Sequence, residues 1–155
     1  MEYYTVLKSI HLLGVVIFLG NIIVTAVWKV MADRTRDPAV VSYAQRLVTI
    51  TDIAFTAVGV VLIYTTGQLM APAFGGVFET YWIATGWWLF ILSGVIWVLI
   101  LIPIQIYQAR LARGFASGKP IPQRYWMLSR SWNLAGAVAT LLPLANLYFM
   151  VFKPV

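Results

Sequence analysis

Hydrophobic residues collect into four long runs. The first extends from about Val6 to Trp28, the second from about Leu47 to Leu69, the third from about Tyr81 to Tyr107 and the fourth from about Trp132 to Phe152. A helix needs about 20 mostly apolar residues to cross the hydrocarbon core of a bilayer, and each run reaches that length. The pattern predicts an all-α membrane protein, an up-down bundle of four transmembrane helices, because connections this short join antiparallel neighbours. The connections carry turn signals: Arg36-Asp37-Pro38 in the first, Pro72 and Gly75-Gly76 in the second, Gly118, Pro120 and Pro122 in the third. No repeat or low-complexity tract interrupts the chain, so one domain over residues 1–155 is expected. The first run does not read as a cleaved signal peptide. It is too long, it holds Lys8 and His11, and no small-residue cleavage motif follows it.

Composition changes the picture in one respect, the meaning of charge. The 155 residues are 61% hydrophobic and only 10% charged, where a soluble domain carries about 25% charged residues. Eleven Lys and Arg stand against five Asp and Glu, a formal +6. The cations are not spread evenly. Lys29, Arg34, Arg36 and Arg46 fall in the first connection, Arg110, Arg113, Lys119, Arg124 and Arg130 in the third, and none in the second. The positive-inside rule then places segments 29–46 and 108–131 in the cytoplasm and both termini on the outer side. The surplus is a topology signal and argues against a nucleic-acid partner. Tyr3, Tyr4, Tyr81, Trp82, Trp87 and Trp88 would form the outer aromatic belt, and Trp28, Tyr107, Trp126 and Trp132 the inner one.

Polar residues inside the runs carry the candidate chemistry, since such groups face a bundle interior or a water-filled cavity. His11, Gly14, Phe18, Asn21, Thr25 and Trp28 share one seam of the first helix, and Lys8 lies one turn from His11. Asp52, Thr56, Gly59, Ile63 and Thr66 share a stripe on the second. At ~1.5 Å per residue, His11 sits roughly 9 Å to the outer side of its helix midpoint, and Asp52 about as far to the inner side of its own. Two sites are therefore expected. The outer one gathers His11, Lys8, Met150, Asn146, Thr66 and Tyr64. The inner one is an ion-pair network around Asp52, with Asn21, Gln105, Asn133, Arg130 and Lys29 as neighbours. Thr140 is among the groups expected to satisfy backbone freed by Pro143.

With no cysteine and one histidine, disulfides, thiolate metal sites and iron–sulfur clusters are excluded, and a three-ligand zinc site is disfavoured. Depth opposes a Ser-His-Asp arrangement through Asp52. His11 is either a hydrogen-bonding bridge between helices or a ligand, and haem is the cofactor this site would best hold: imidazole as axial ligand, Lys8 beside a propionate, and a sixth position open or filled by Met150, water or a second chain.

Several short motifs in fixed order carry a resemblance. They are Lys8-x-x-His11 followed by Gly20, Arg34-x-x-Asp37-Pro38, Asp52-x-x-Phe55-Thr56 leading to Thr66-Gly67, then Trp97, Pro103 and Gln105. Pro122-x-x-Tyr125, Arg130-x-Trp132-x-x-x-Gly136 and Met150-x-x-Lys153-Pro154 complete the set. Over essentially its whole length the chain resembles a small prokaryotic family of predicted integral membrane proteins, domain of unknown function 2269. That implies a prokaryotic cytoplasmic membrane. The family often has proline just after the Thr56 position, where this chain has Ala57-Val58. The opening Lys8, His11 and Gly20 also resemble the first helix of HemJ-type protoporphyrinogen oxidases and CopD-type copper-resistance proteins. The former resemblance implies b-type haem on His11. It does not extend to the third helix, where HemJ-like proteins carry a lysine and residues 82–108 have none. The functions open at this point are a haem-binding redox protein, a small permeation module for ions or metals through Asp52, and an accessory subunit of a larger membrane complex. Homodimerisation is compatible with each.

Overall fold

A computed structural model describes residues 2–117 and 119–154, so Gly118 lies outside the described residues. Four long helices account for nearly all of them: α1 (Glu2–Thr35), α2 (Pro38–Phe74), α3 (Tyr81–Phe115) and α4 (Gln123–Phe152), each long and apolar enough to cross a membrane. The helices run past the apolar runs, and the expected connections shrink to short joints. Hydropathy marks only the lipid-facing part of a helix, whereas Lys, Arg, Gln and Ala continue it as good helix formers. Helix α2 restarts sharply because the Asp37 carboxylate accepts the backbone N–H groups of Ala39 (2.8 Å) and Val40 (3.2 Å). Pro38 occupies the first turn, where a missing N–H costs nothing. The joint between α2 and α3 turns on Gly75 and Gly76, with φ of 91° and 133°.

The helices pack as two antiparallel pairs, α1 with α2 and α3 with α4. Glycine sets the approach of the first pair: a Cβ on Gly59 would meet Phe18 Cβ at 2.8 Å, and one on Gly14 would meet Leu62 Cβ at 2.9 Å. The pairs join toward the end that carries the α1–α2 and α3–α4 joints, here called the basic end. There the first half of α2 packs on the second half of α3, and α1 reaches α4. Val41, Ala112, Phe115 and Tyr125 form one buried cluster at that end. Val48, Leu101, Trp132 and Ala139 form another further in. Trp132 is therefore a core residue and not a member of the inner aromatic belt. At the opposite, terminal end the two pairs diverge.

The exterior is apolar: Val16, Leu99 and Leu134 are 69%, 68% and 73% exposed. Buried positions include Asn21, Thr25, Lys29, Gln45, Asp52, Thr56, Thr66, Ser93, Gln105 and Gln108. A polar interior inside an apolar shell is the arrangement that a lipid solvent selects.

Three helix irregularities have identifiable causes or consequences. Helix α3 widens to a π-helical turn at Trp97–Leu101, just before Pro103, whose ring would clash with the carbonyl one turn back. Helix α2 also widens, at Asp52–Ala57, with no proline in that turn. Helix α4 continues through Pro143. Pro143 has no N–H for the carbonyl of Ala139, and the Ser93 hydroxyl of α3 donates to that carbonyl instead, at 2.8 Å. Ser93, and not Thr140, makes this repair, because it approaches from the neighbouring helix.

Replacing Gly59 with leucine should force α1 from α2 and cost about 1–3 kcal/mol. Gly20, whose added Cβ meets nothing within 4 Å, provides the control, and Gly20→Ala should leave stability equal or slightly higher. Equilibrium unfolding in detergent micelles would read both.

Candidate functional site

The diverging helix pairs enclose a cavity of about 480 Å³ at the terminal end, within the ~300–1,000 Å³ typical of small-molecule sites. All four helices line it. Helix α1 contributes Lys8 and His11, α2 contributes Tyr64 and Gly67, α3 contributes Trp82 and Gly86, and α4 contributes Asn146 and Met150. Lys8, Tyr64 and Lys153 are exposed at its rim. Phe18 and Phe90 also line it, as an edge-to-face pair with ring centroids 6.4 Å apart, on the side toward the bundle middle. The outer residues expected to gather with His11 do so.

His11 is fixed by its partner. Its Nδ1 lies 2.9 Å from the hydroxyl oxygen of Thr66. That hydroxyl sits 2.5 Å from the Leu62 carbonyl, one turn back on α2. A threonine hydroxyl has one proton, and the carbonyl can only accept it. With the hydroxyl proton placed on that carbonyl, the hydroxyl oxygen accepts from His11, so that Nδ1 carries the proton and Nε2 keeps its lone pair. Gly67 stands beside the ring; a Cβ there would lie 3.6 Å from the imidazole Cε1. On the far wall, Asn146 Nδ2 donates to the Gly86 carbonyl at 3.0 Å. Its buried Oδ1 has no hydrogen-bond partner among the described residues. Met150 packs at Gly86, where even one added carbon would collide with it. Lys153 Nζ lies 5.3 Å and 5.2 Å from the ring centres of Phe74 and Trp82.

Asp52 belongs to a separate cluster. Thr56 donates to Asp52 Oδ1 at 3.0 Å. Asn21 Nδ2 donates to Thr56 Oγ1 at 2.8 Å and reaches Asp52 Oδ1 at 3.5 Å and the Thr51 carbonyl at 3.3 Å. Gln105 and Trp97 approach the same carboxyl from α3. The π-helical turns of α2 and α3 thus bracket this cluster, with Asp52 at the start of one and Trp97 at the start of the other. Asp52 and His11 have different partners on different levels, as their depths imply.

The cluster is not the expected ion-pair network. Arg130 is exposed, and among the described residues neither it nor Asn133 bonds to Asp52. Lys29, fully buried, pairs with Asp33 one turn further along α1, at 3.3 Å. A partner on the same helix face is nearer than Asp52 across the interface. Tyr125 completes this third cluster, with its hydroxyl 3.0 Å from Lys29 Nζ and 3.1 Å from Asp33 Oδ1. Ser129 also donates to Asp33. Lys29 Nζ further stacks over the rings of Tyr125 and Trp132, 5.1 Å and 5.6 Å from their centres. Sequence reasoning missed Asp33, Tyr125 and Ser129. Two four-residue spacings were the available signal: Lys29 with Asp33 on α1, and Tyr125 with Ser129 on α4.

Among the described residues, no three His, Cys, Asp or Glu side chains gather as a site for a bare metal ion. The chemistry on offer is a neutral imidazole at an apolar cavity, and a carboxyl among neutral donors beneath it. A bundle with this exterior and these buried polar groups is a multi-pass membrane protein. A family model described as a predicted integral membrane protein (DUF2269) matches residues 5–154, and the chain belongs to that prokaryotic family. No curated protein and no solved structure matches it.

Lys29→Met would leave the Asp33 carboxylate without its cation inside the bundle. It should cost about 3–5 kcal/mol, measured by unfolding in micelles. Adding Asp33→Asn should restore part of that loss, because the uncompensated charge is then gone.

Proposed function

We propose that this protein binds b-type haem in the terminal-end cavity, with His11 as axial ligand. The observation that carries the reading is the histidine's hydrogen bond. A ring whose Nδ1–H donates to a hydroxyl has its tautomer and orientation fixed and its Nε2 lone pair free, the arrangement common to metal-ligating histidines. The residues present fit such a group. The cavity lies between helix pairs and is walled by Phe90, Trp82, Leu12 and Leu19. Lys8 and Lys153 stand at its rim, where they would pair with propionates. Met150 lines the same cavity and would serve as the second axial ligand, and the unpartnered Asn146 Oδ1 leaves one acceptor for a polar edge.

Bound haem supplies one-electron chemistry, with its potential set by ligand and surroundings. The protein's own contributions are separable. Thr66 orients the imidazole, and the two lysines offset anionic charge. The Phe18–Phe90 pair separates the cavity from the polar cluster beneath. Since α3 brings no lysine to the cavity, porphyrinogen oxidation is not part of the proposal. The basic end carries the cation-rich joints, so by the positive-inside rule it faces the cytoplasm. The cavity then opens toward the outer leaflet of a prokaryotic cytoplasmic membrane.

Protein purified in detergent should show a Soret band, or acquire one on adding hemin. His11→Ala should weaken hemin binding more than about tenfold, ~1.4 kcal/mol, and remove the signature of a histidine-ligated iron. Thr66→Val should preserve binding but change the reduced-state spectrum. A wild-type protein that neither carries nor takes up haem would overturn the reading.

A further inference from the structure

The second cluster contains a carboxyl with no cation beside it among the described residues. Asp52 is 9% exposed, and the groups around it are the hydroxyl of Thr56 and the amides of Asn21 and Gln105, with the indole of Trp97 nearby. None of these carries charge. The nearest charged side chains on each packed helix are directed elsewhere. On α1, Lys29 is two turns on and bonded to Asp33. Arg46 on α2, Arg110 on α3 and Arg130 on α4 are exposed. A lone carboxyl in such surroundings either ionises against its neutral donors or becomes neutral by taking a proton.

Gln105 supplies what a proton-exchanging carboxyl needs. It is 6% exposed, and its Oε1 has no partner among the described residues. Toward an ionised Asp52 the amide presents N–H. Toward a protonated Asp52, rotation of the same amide presents Oε1 as an acceptor. One side chain therefore satisfies both states. A path leads away from it. Gln108 lies one turn beyond Gln105 on α3, and Gln45 lies two turns before Asp52 on α2. These two are 0% and 1% exposed, and all four of their amide polar atoms lack partners among the described residues. Bridging water between the helices would satisfy buried amides left open in this way. They lie between the Asp52 cluster and the basic end, on the two helices that pack together there.

We propose that Asp52 is an exchangeable proton-binding site, with Gln105 as its alternating partner and Gln45 and Gln108 as the route to the basic end. The proton moves between water and the Asp52 carboxylate as H⁺, so no oxidant or reductant is required. The proposal is independent of haem.

Difference infrared spectroscopy of the full chain in liposomes tests it. Acidification across roughly pH 10 to 4 should raise the carbonyl stretch of a protonated carboxylic acid, and Asp52→Asn should remove that band. If Asp52→Asn fails to fold, Thr56→Val carries the assignment. Loss of a donor to the carboxylate should then raise the midpoint by about one pH unit. In heavy water, Gln45→Leu with Gln108→Leu should slow deuteration of the band several-fold. A wild-type spectrum without a titrating acid band would overturn the site, as would a midpoint unmoved by Thr56→Val. Unchanged exchange in the double glutamine variant would overturn the route.

Discussion

Inside a bilayer a polar atom has no bulk water to bond to, only the protein and water the protein encloses, and in this bundle that requirement decides how the helices sit against one another. Pro143 frees the Ala139 carbonyl, and Ser93 answers it from α3. Asn146 answers with the Gly86 carbonyl, which is reachable because glycine lets the helices close there. Asn21 joins α1 to the widened turn of α2. These bonds stitch α1 to α2 and α3 to α4 along much of their length. Between the pairs, comparable stitching is concentrated at the basic end, where Lys29 and Asp33 of α1 meet Tyr125 and Ser129 of α4.

The cavity is a consequence of that imbalance. Two tight pairs held together at one end diverge at the other, and the space between them falls at the level of His11. The same geometry keeps Asp52 apart from it, with Phe18 and Phe90 lying on the intervening side. One fold thus provides two chemically distinct environments: a large apolar pocket with an imidazole on its wall, and a small buried set of neutral donors around a carboxyl.

Much of this was legible in the sequence. Four apolar runs marked four helices, and the three- and four-residue spacing on α1 placed His11, Asn21 and Thr25 on one face. Depth alone separated His11 from Asp52. The helix ends were not legible, because Arg34, Gln45 and Arg110 sit in helices whose continuation past the apolar runs hydropathy does not register. Lys29 and Trp132 were misplaced for a related reason: a cation or an indole near the end of a run looks interfacial, yet both are buried where α1 meets α4. The repair of Ala139 by Ser93 depends on helix rotation, which no spacing in a single helix reveals. The π-helical turn at Asp52 arises without a local proline and had no sequence signal.

The central claim is that His11 carries its proton on Nδ1, donated to Thr66, and keeps Nε2 free at the cavity. Because the chain has one histidine, nitrogen NMR of protein labelled with ¹⁵N-histidine, prepared free of haem, reports that ring alone. At a pH where the imidazole is neutral, the account predicts a protonated Nδ1 and an unprotonated Nε2, with the assignment lost or mixed in Thr66→Val. A ring protonated on Nε2 in the wild-type protein would contradict it.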